Sequence, residues 1–180
     1  VSALPTASLA SLTTDQIAAL TTAQTAALGT GQIAALGSDQ VASLETVDLA
    51  ALGSAQIQAF DSDQIAALTT TQVASLSTAQ VGALTSDQVS GFGTAQLAAL
   101  TTGQVAVLST DQLSALAPSQ VAAFSTAQMA ALSGSQLASL STSQLQALSG
   151  AQVAAIETGD IASLTIEQVL SLIHISEPTR

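Results

Sequence analysis

Carboxylates are the only ionisable side chains that recur along this sequence, and two arrangements of them could do chemistry. Asp61 and Asp63 stand two residues apart, and a glycoside hydrolase uses two carboxyl groups, one as the acid and one as the base or nucleophile. A longer column of carboxylates recurs at a regular interval, and carboxylate oxygens are ligands that calcium prefers. The members of this Asp column are Asp15, Asp39, Asp63, Asp87 and Asp111.

The positions of these acids also have a structural explanation, which we favour. Asp61 falls where a helix cap is expected, and Asp63 falls in the first helical turn, where the helix dipole favours a negative charge. Stacked helices lie about 8 to 10 Å apart, whereas oxygens that share a calcium ion lie within about 2.3 to 2.6 Å of it. We therefore predict no catalytic, cofactor-binding or metal-binding residue, and we leave open whether the Asp column binds cations.

Nucleophilic catalysis is not indicated either. The chain has no Cys, and its one His, His174, has no nucleophile or acid at an interpretable spacing. Ser and Thr are abundant, but no base stands near them to activate a hydroxyl. We predict that the chain is not an enzyme and uses no cofactor.

The charge balance excludes several kinds of partner. The chain has 12 acids, and its only Lys or Arg is Arg180. Proteins that bind phosphate backbones place Lys and Arg along their surface, so we predict no nucleic-acid partner. No apolar run reaches the roughly 18 to 20 residues of a membrane-spanning helix, so we predict no membrane insertion. Lateral or end-to-end self-association is the partnership that we leave open.

The elements that must position these residues are eight-residue repeats, or octads. A large apolar residue opens each octad and recurs from Leu4 to Leu164 in steps of eight, without insertion or deletion, which gives 21 octads. A typical octad, from Leu12 to Ala19, reads Leu-Thr-Thr-Asp-Gln-Ile-Ala-Ala, and we number its positions 1 to 8. Strict phase over this length indicates stacked identical units, so residues 4–171 are predicted to form one solenoid.

Each octad carries the signals that start a helix. Thr13 at position 2 is followed three residues later by Gln16 at position 5, which is a capping box. Leu12 before the cap and Ile17 at the fourth helical residue have the spacing of a hydrophobic staple. Pro118 stands at position 3, the first helical residue, where a proline loses no needed hydrogen bond. Glycine fills position 2 in several octads, where we expect it to cap the new helix and also to end the old one.

The repeat period excludes other architectures. The apolar stripe of one continuous helix would drift about 80° per octad, and positions 1 and 6 of a continuous strand would face opposite sides. We predict an all-α solenoid or superhelix of short capped helices, one per octad, each of about six or seven residues. Three or four octads per turn both stay open, because the Asp column recurs at every third octad whereas Phe60, Phe92 and Phe124 recur at every fourth.

Two polar columns could face a ligand. Gln fills position 5 in eighteen of the twenty octads from Leu12 onward, and we interpret it as a cap residue that also bonds to stacked coils. The exceptions, Asp48 and Asp160, each follow a Glu at position 2, Glu45 and Glu157, which indicates that positions 2 and 5 touch. Thr and Ser fill positions 2 and 3, and a flat Thr face can order water. We expect helix capping to engage these hydroxyls instead.

The repeat fails after Leu172. Residues 172–180 lack the Thr, the Gln and the Ala pair of the octads. The last ten residues, SLIHISEPTR, resemble a read-through translation of sequencing-adapter sequence. We therefore predict that this tail is artefactual or disordered and that the natural protein continues with more octads. A genuine frayed terminus or cap is the alternative.

The octads, as in LTTDQIAAL and LSTAQVGAL, resemble repeats in tracts of large, mostly uncharacterised bacterial proteins, some of them surface or secreted. The resemblance covers residues 4–171 and implies a structural or adhesive repeat region; it transfers no active site. We therefore expect a non-enzymatic structural or spacer region of a longer bacterial protein, extracellular or at the cell surface. A binding module whose regular Thr/Ser face recognises ice or a repetitive surface is the alternative.

Overall fold

The structure, a computed structural model, describes the backbone of residues 3–176 and the side chains of residues 3–172. This part of the chain contains 21 α-helices and no strand, which confirms an all-α fold with one short helix per octad. The helices are α1 (Thr6–Ala10), α2 (Thr14–Ala18), α3 (Thr22–Ala26), α4 (Thr30–Ala34), α5 (Ser38–Ser43), α6 (Thr46–Ala50), α7 (Ser54–Ile57), α8 (Ser62–Ala67), α9 (Thr70–Ser75), α10 (Thr78–Ala83), α11 (Ser86–Ser90), α12 (Thr94–Ala99), α13 (Thr102–Ala106), α14 (Thr110–Ser114), α15 (Pro118–Val121), α16 (Thr126–Ala130), α17 (Gly134–Ala138), α18 (Thr142–Gln146), α19 (Gly150–Ala154), α20 (Thr158–Ile161) and α21 (Ile166–Ser176).

The helices start where the capping signals predict. In most octads the position-2 side chain accepts from the backbone N–H of the position-5 Gln, and the Gln side chain accepts from the backbone N–H of position 2. Pro118 is the first residue of α15, as predicted. The caps that accept in this way are Thr13, Thr21, Asp61, Thr69, Ser77, Thr85, Thr101, Ser109, Ser125, Ser133, Ser141, Ser149 and Thr165.

The helices end earlier, and in a different way, than the sequence suggested. Helices α1 to α20 have four to six residues, because the position-1 residue has already left the helix. Leu44 is extended (φ −60°, ψ 136°), and its N–H donates to the Val41 carbonyl three residues earlier, a tight last turn. The expectation that glycine ends the preceding helix is wrong. No described residue has a positive φ, and Gly37 is extended (φ −73°, ψ 158°) and only starts α5.

The core is made of two apolar columns. Position-1 side chains are buried from Leu28 to Ile156, and position-6 side chains are buried from Leu9 to Leu145. Burying one such pair contributes about 3 to 6 kcal/mol per octad, less than the cost of ordering eight residues, so neighbouring octads must share their cores.

The chain divides into two compact units, Val1–Phe92 and Gly93–Arg180. Within each unit, a helix packs on the third helix further along the chain. In the first unit α2 packs on α5 and α5 on α8; in the second α12 packs on α15 and α15 on α18. Each unit is therefore a solenoid of stacked short helices. No helix in the described part of the chain has the length and apolarity needed to cross a bilayer.

The number of octads per turn falls between the two values that the sequence left open. In both units, position-5 amides bond to position-1 carbonyls 28 residues earlier, for example Gln72 to Leu44 and Gln144 to Leu116. A separation of 28 residues is 28/8 = 3.5 octads. Successive coils are therefore offset by half an octad, so each helix lies over the junction between two helices of the coil below.

Candidate functional site

The Gln column has the most regular polar geometry in the molecule, and Gln72 illustrates it. Its Oε1 accepts from the Thr69 N–H at 2.8 Å, which closes the capping box of α9. Its Nε2 donates to the Leu44 carbonyl at 2.8 Å and to the Val41 carbonyl at 3.0 Å. One buried amide, 2% exposed, thus starts its own helix and caps the end of a helix in the preceding coil.

The same arrangement recurs along both units. Bonds from Nε2 to the carbonyl 28 residues earlier measure 2.6 to 2.8 Å, and they are made by Gln32, Gln40, Gln56, Gln64, Gln72, Gln80, Gln88, Gln128, Gln136, Gln144, Gln152 and Gln168. These bonds confirm both structural predictions: the Gln column joins stacked coils, and positions 2 and 5 touch. In these twelve residues the amide donors that a ligand would need are already engaged.

The Thr and Ser rows divide into two classes. Position-2 hydroxyls accept from the backbone, as expected. The Thr hydroxyls at position 3 make no hydrogen bond among the described residues, and all except that of the half-buried Thr46 belong to exposed residues. The expectation that capping engages both rows is therefore wrong for position 3. The exposed residues of this position-3 Thr row are Thr6, Thr14, Thr22, Thr30, Thr70, Thr78, Thr94, Thr102, Thr110, Thr126, Thr142 and Thr158.

The half-octad offset prevents position-3 hydroxyls from stacking on one another. A Cβ added to Gly91, at position 8, would lie 3.5 Å from the carbonyl of Ser62, at position 3 in the preceding coil. In the second unit, a Cβ on Gly134, at position 3, would overlap the hydroxyl of Ser163, at position 8 in the following coil. A position-3 residue therefore lies against a position-8 residue of the next coil, which is most often Ala.

Four of the five members of the Asp column lie on helices that pack on one another. Asp15, Asp39, Asp63 and Asp87 lie in α2, α5, α8 and α11, which pack successively on one another in the first unit. All four are exposed second residues of their helices. No group of three or more His, Cys, Asp or Glu side chains in the described part of the chain could hold a metal ion.

The two acids that stand closest together in the sequence, Asp61 and Asp63, have the structural positions that we favoured for them. Asp61 accepts from the Gln64 N–H at 2.8 Å as the cap of α8, and Asp63 is exposed in the first turn of that helix. The side chain of His174 and the whole of Arg180 lie outside the described residues, as does the end of the predicted artefactual tail. The backbone of α21 continues through Ser176.

Two buried polar residues were not singled out from the sequence as sites. Thr25 stands at position 6, where every other octad from Leu12 onward has an apolar residue, and its fully buried hydroxyl has no hydrogen-bond partner. Asp48 stands at position 5 in the place of Gln and is 2% exposed. The signal that could have found both is a departure from the consensus of their column.

The repeat is one that other proteins share. The family model described as the ALTTAQ repeat matches residues 1–30, 41–78, 66–94, 89–126, 106–142 and 121–158. A search of curated proteins finds no match to the chain.

Proposed function

The chain belongs to the ALTTAQ repeat family, and from this premise and the geometry above we propose that it is a non-enzymatic spacer or scaffold region of a longer bacterial protein. The observation that carries the proposal is the Gln column. Each buried amide joins two coils through bonds of 2.6 to 2.8 Å to carbonyls 28 residues earlier. An array whose polar groups bond to the next coil can be lengthened by whole turns without any new interaction, which is what a spacer requires.

The charge distribution supports the same role. The described acids other than Asp48 and Asp160 are exposed, and the formal net charge is −11. A strongly anionic surface keeps repetitive chains apart and soluble. We place the protein outside the cell or at its surface, in line with the resemblance of the octads to surface and secreted tracts. Immunogold labelling of thin sections of producing cells tests this location, and label confined to the cell interior would contradict it.

The spacer proposal is tested by lengthening the array in phase. Residues 28–83 contain seven octads, which fill two turns of 28 residues each. Duplicating this segment once and then twice should raise the maximum dimension in small-angle X-ray scattering by equal steps. A matched insertion that is shorter by half an octad breaks the octad phase and should lower the unfolding temperature. A radius of gyration that grows as slowly as that of a compact globule, about N^0.38, would contradict the spacer role.

A binding face is the second candidate, and the exposed position-3 Thr row favours it. These hydroxyls are free to bond to water or to a repetitive surface such as ice. The half-octad offset opposes it, because it places a position-8 residue, most often Ala, between successive hydroxyls along the stack. A thermal-hysteresis assay at millimolar protein tests ice binding. A protein that shows no thermal hysteresis would contradict this second candidate and leave the spacer role as our proposal. Sedimentation velocity over a range of concentrations tests lateral or end-to-end self-association.

A further inference from the structure

The contact between successive coils of a unit has two different sides. The later coil supplies an amide donor, such as that of Gln72, and the earlier coil supplies a position-1 carbonyl, such as that of Leu44. In the interior of both units the apolar side chains of positions 1 and 6 are buried as well. Because the bonds of the Gln column run from the later residue to the earlier one in both units, each coil has a donor side and an acceptor side.

The donor side of the coil that contains α2 and α3 is unfilled in the described part of the chain. Gln16 and Gln24 close their capping boxes through Oε1, but their Nε2 atoms make no hydrogen bond to any described residue. Both side chains are exposed, whereas the Gln residues that bond to an earlier coil are buried or half-buried. The position-1 residues Leu12 and Leu20 are only half-buried, whereas the next one, Leu28, is 3% exposed. This side therefore offers two amide donors and an apolar edge.

The acceptor side of the coil that contains α19 and α20 is unfilled too. The carbonyls of Leu148, Ile156 and Leu164, all at position 1, accept no hydrogen bond among the described residues. Ile161 at position 6 is half-buried, whereas the buried members of that column are at most 1% exposed. This side therefore offers carbonyl acceptors and a second apolar edge.

The two unfilled sides match in spacing. Gln16 and Gln24 are eight residues apart, and so are Ile156 and Leu164. Neighbouring bonds inside the units have the same spacing, since donors eight residues apart reach carbonyls eight residues apart. The donor side of one chain can therefore continue the interior coil contact on the acceptor side of another chain, without any new kind of bond.

The same register supplies an apolar contact. A position-3 residue lies against the position-8 residue 29 positions later, as Gly134 lies against Ser163. Ile166, at position 3 of α21, is 80% exposed, more than any other large hydrophobic residue in the described part of the chain. A second copy docked in this register brings the small residue Ala27, at position 8, against it. The most exposed apolar side chain would thus be covered.

We propose that this chain associates head to tail with a second copy of itself. The amides of Gln16 and Gln24 in one copy are the donors. The acceptors are the carbonyls of Ile156 and Leu164 in the other copy. The contact is heterologous, so every open assembly keeps one donor side and one acceptor side to which further copies add. The proposal goes beyond the spacer role, because a spacer of fixed length needs no contact between copies, and lengthening a single chain in phase tests that role separately.

Charge opposes this contact, which gives the proposal a salt dependence of known sign. Helix α2 on the donor side carries Asp15, and α20 and α21 on the acceptor side carry Asp160 and Glu167. The only Lys or Arg of the chain is Arg180, so almost no positive charge compensates these acids. Salt screens exposed charges, and the Debye length falls from about 10 Å at 0.1 M to about 3 Å at 1 M. Association should therefore strengthen as sodium chloride is raised.

The test compares the full chain with two double variants. Q16E/Q24E removes both Nε2 donors and keeps an oxygen that can close each capping box. A23D/G31D is the matched control, because it adds the same two charges at exposed position-4 sites, where other octads have Asp, and keeps both donors. A Cβ at Gly31 has nothing within 4 Å, so this substitution fits the fold. Circular dichroism should show the same helix content in all three proteins.

Sedimentation velocity measures the association from micromolar to millimolar protein. The parent and A23D/G31D should associate, more strongly in about 1 M than in about 0.1 M sodium chloride. The dissociation constant of Q16E/Q24E should be at least about tenfold higher, because two donors are lost and two carboxylates face carbonyl oxygens. A parent that stays monomeric at both salt concentrations would overturn the proposal, and so would equal association of the parent and Q16E/Q24E.

A mixing experiment tests the direction of the contact. Fluorescently labelled Q16E/Q24E keeps its acceptor side, so an excess of unlabelled parent should dock on it and raise its sedimentation coefficient. Its donor side is blocked, so unlabelled Q16E/Q24E added to labelled parent should shorten the assemblies. If the labelled variant sediments as a monomer while the parent associates, the copies meet through another face and the head-to-tail proposal is wrong.

Discussion

Replacing Gln72 by Glu isolates the bonds that join the coils. The substitution keeps an oxygen that can accept from the Thr69 N–H, so the start of α9 is preserved. It removes the Nε2 donor from the Leu44 carbonyl, which has no other hydrogen bond among the described residues, and from the Val41 carbonyl. It also buries a negative charge at a side chain that is 2% exposed and places it against carbonyl oxygens.

The cost follows from these contacts. Leaving a buried acceptor without its donor costs about 1 to 3 kcal/mol, and desolvating a carboxylate without a counter-charge adds to this. We expect Gln72→Glu to lower the free energy of unfolding by about 2 to 4 kcal/mol. With a urea dependence of about 2 kcal/mol per molar, the midpoint followed by circular dichroism should fall by about 1 to 2 M.

The matched control is Gln16→Glu. Gln16 closes the same capping box, with its Oε1 accepting from the Thr13 N–H at 2.9 Å, but it is exposed and bonds to no other coil in the described part of the chain. A Glu in this first turn interacts favourably with the helix dipole, by about 0.3 to 1 kcal/mol. The midpoint should therefore stay unchanged or rise slightly. Equal losses at Gln16 and Gln72 would refute the reasoning, because capping alone would then explain the Gln column.

Three further substitutions test single contacts by urea or thermal unfolding. Thr25→Val removes the buried unpartnered hydroxyl and should stabilise the fold by about 1 to 2 kcal/mol; a loss would mean that the hydroxyl has a ligand. Gly134→Ala should destabilise the fold by about 1 to 3 kcal/mol, because a Cβ there overlaps the side chain of Ser163. Its control is Gly150→Ala, at the same octad position, where a Cβ would have nothing within 4 Å; this variant should be stabilised by about 0.4 to 1 kcal/mol. Thr69→Ala should lower the free energy of unfolding by about 0.5 to 2 kcal/mol through the lost cap. Thr70→Ala removes a hydroxyl that makes no hydrogen bond among the described residues, so it should leave the free energy of unfolding almost unchanged.

Local structure was predictable because its causes span few residues. The bond from the Gln16 N–H to the Thr13 hydroxyl joins residues three apart, so the sequence alone determines where α2 begins. The same holds for Pro118 at the start of α15 and for the two apolar columns. The early helix ends were missed because a C-terminal carbonyl such as that of Leu44 is capped by Gln72, and no pattern within one octad contains that partner.

The rotation from one octad to the next was decided by tertiary packing. An eight-residue period states that units repeat but not through what angle they turn, and the Asp and Phe columns, with periods of three and four octads, pointed to different answers. The hydrogen bonds from Gln amides to carbonyls 28 residues earlier give 3.5 octads per turn, which lies between those two periods. The same offset decided that position-3 hydroxyls lie beside small position-8 residues, as the Gly134 and Ser163 pair shows. The reason is that a side chain's neighbours in a solenoid are set by the coils above and below it.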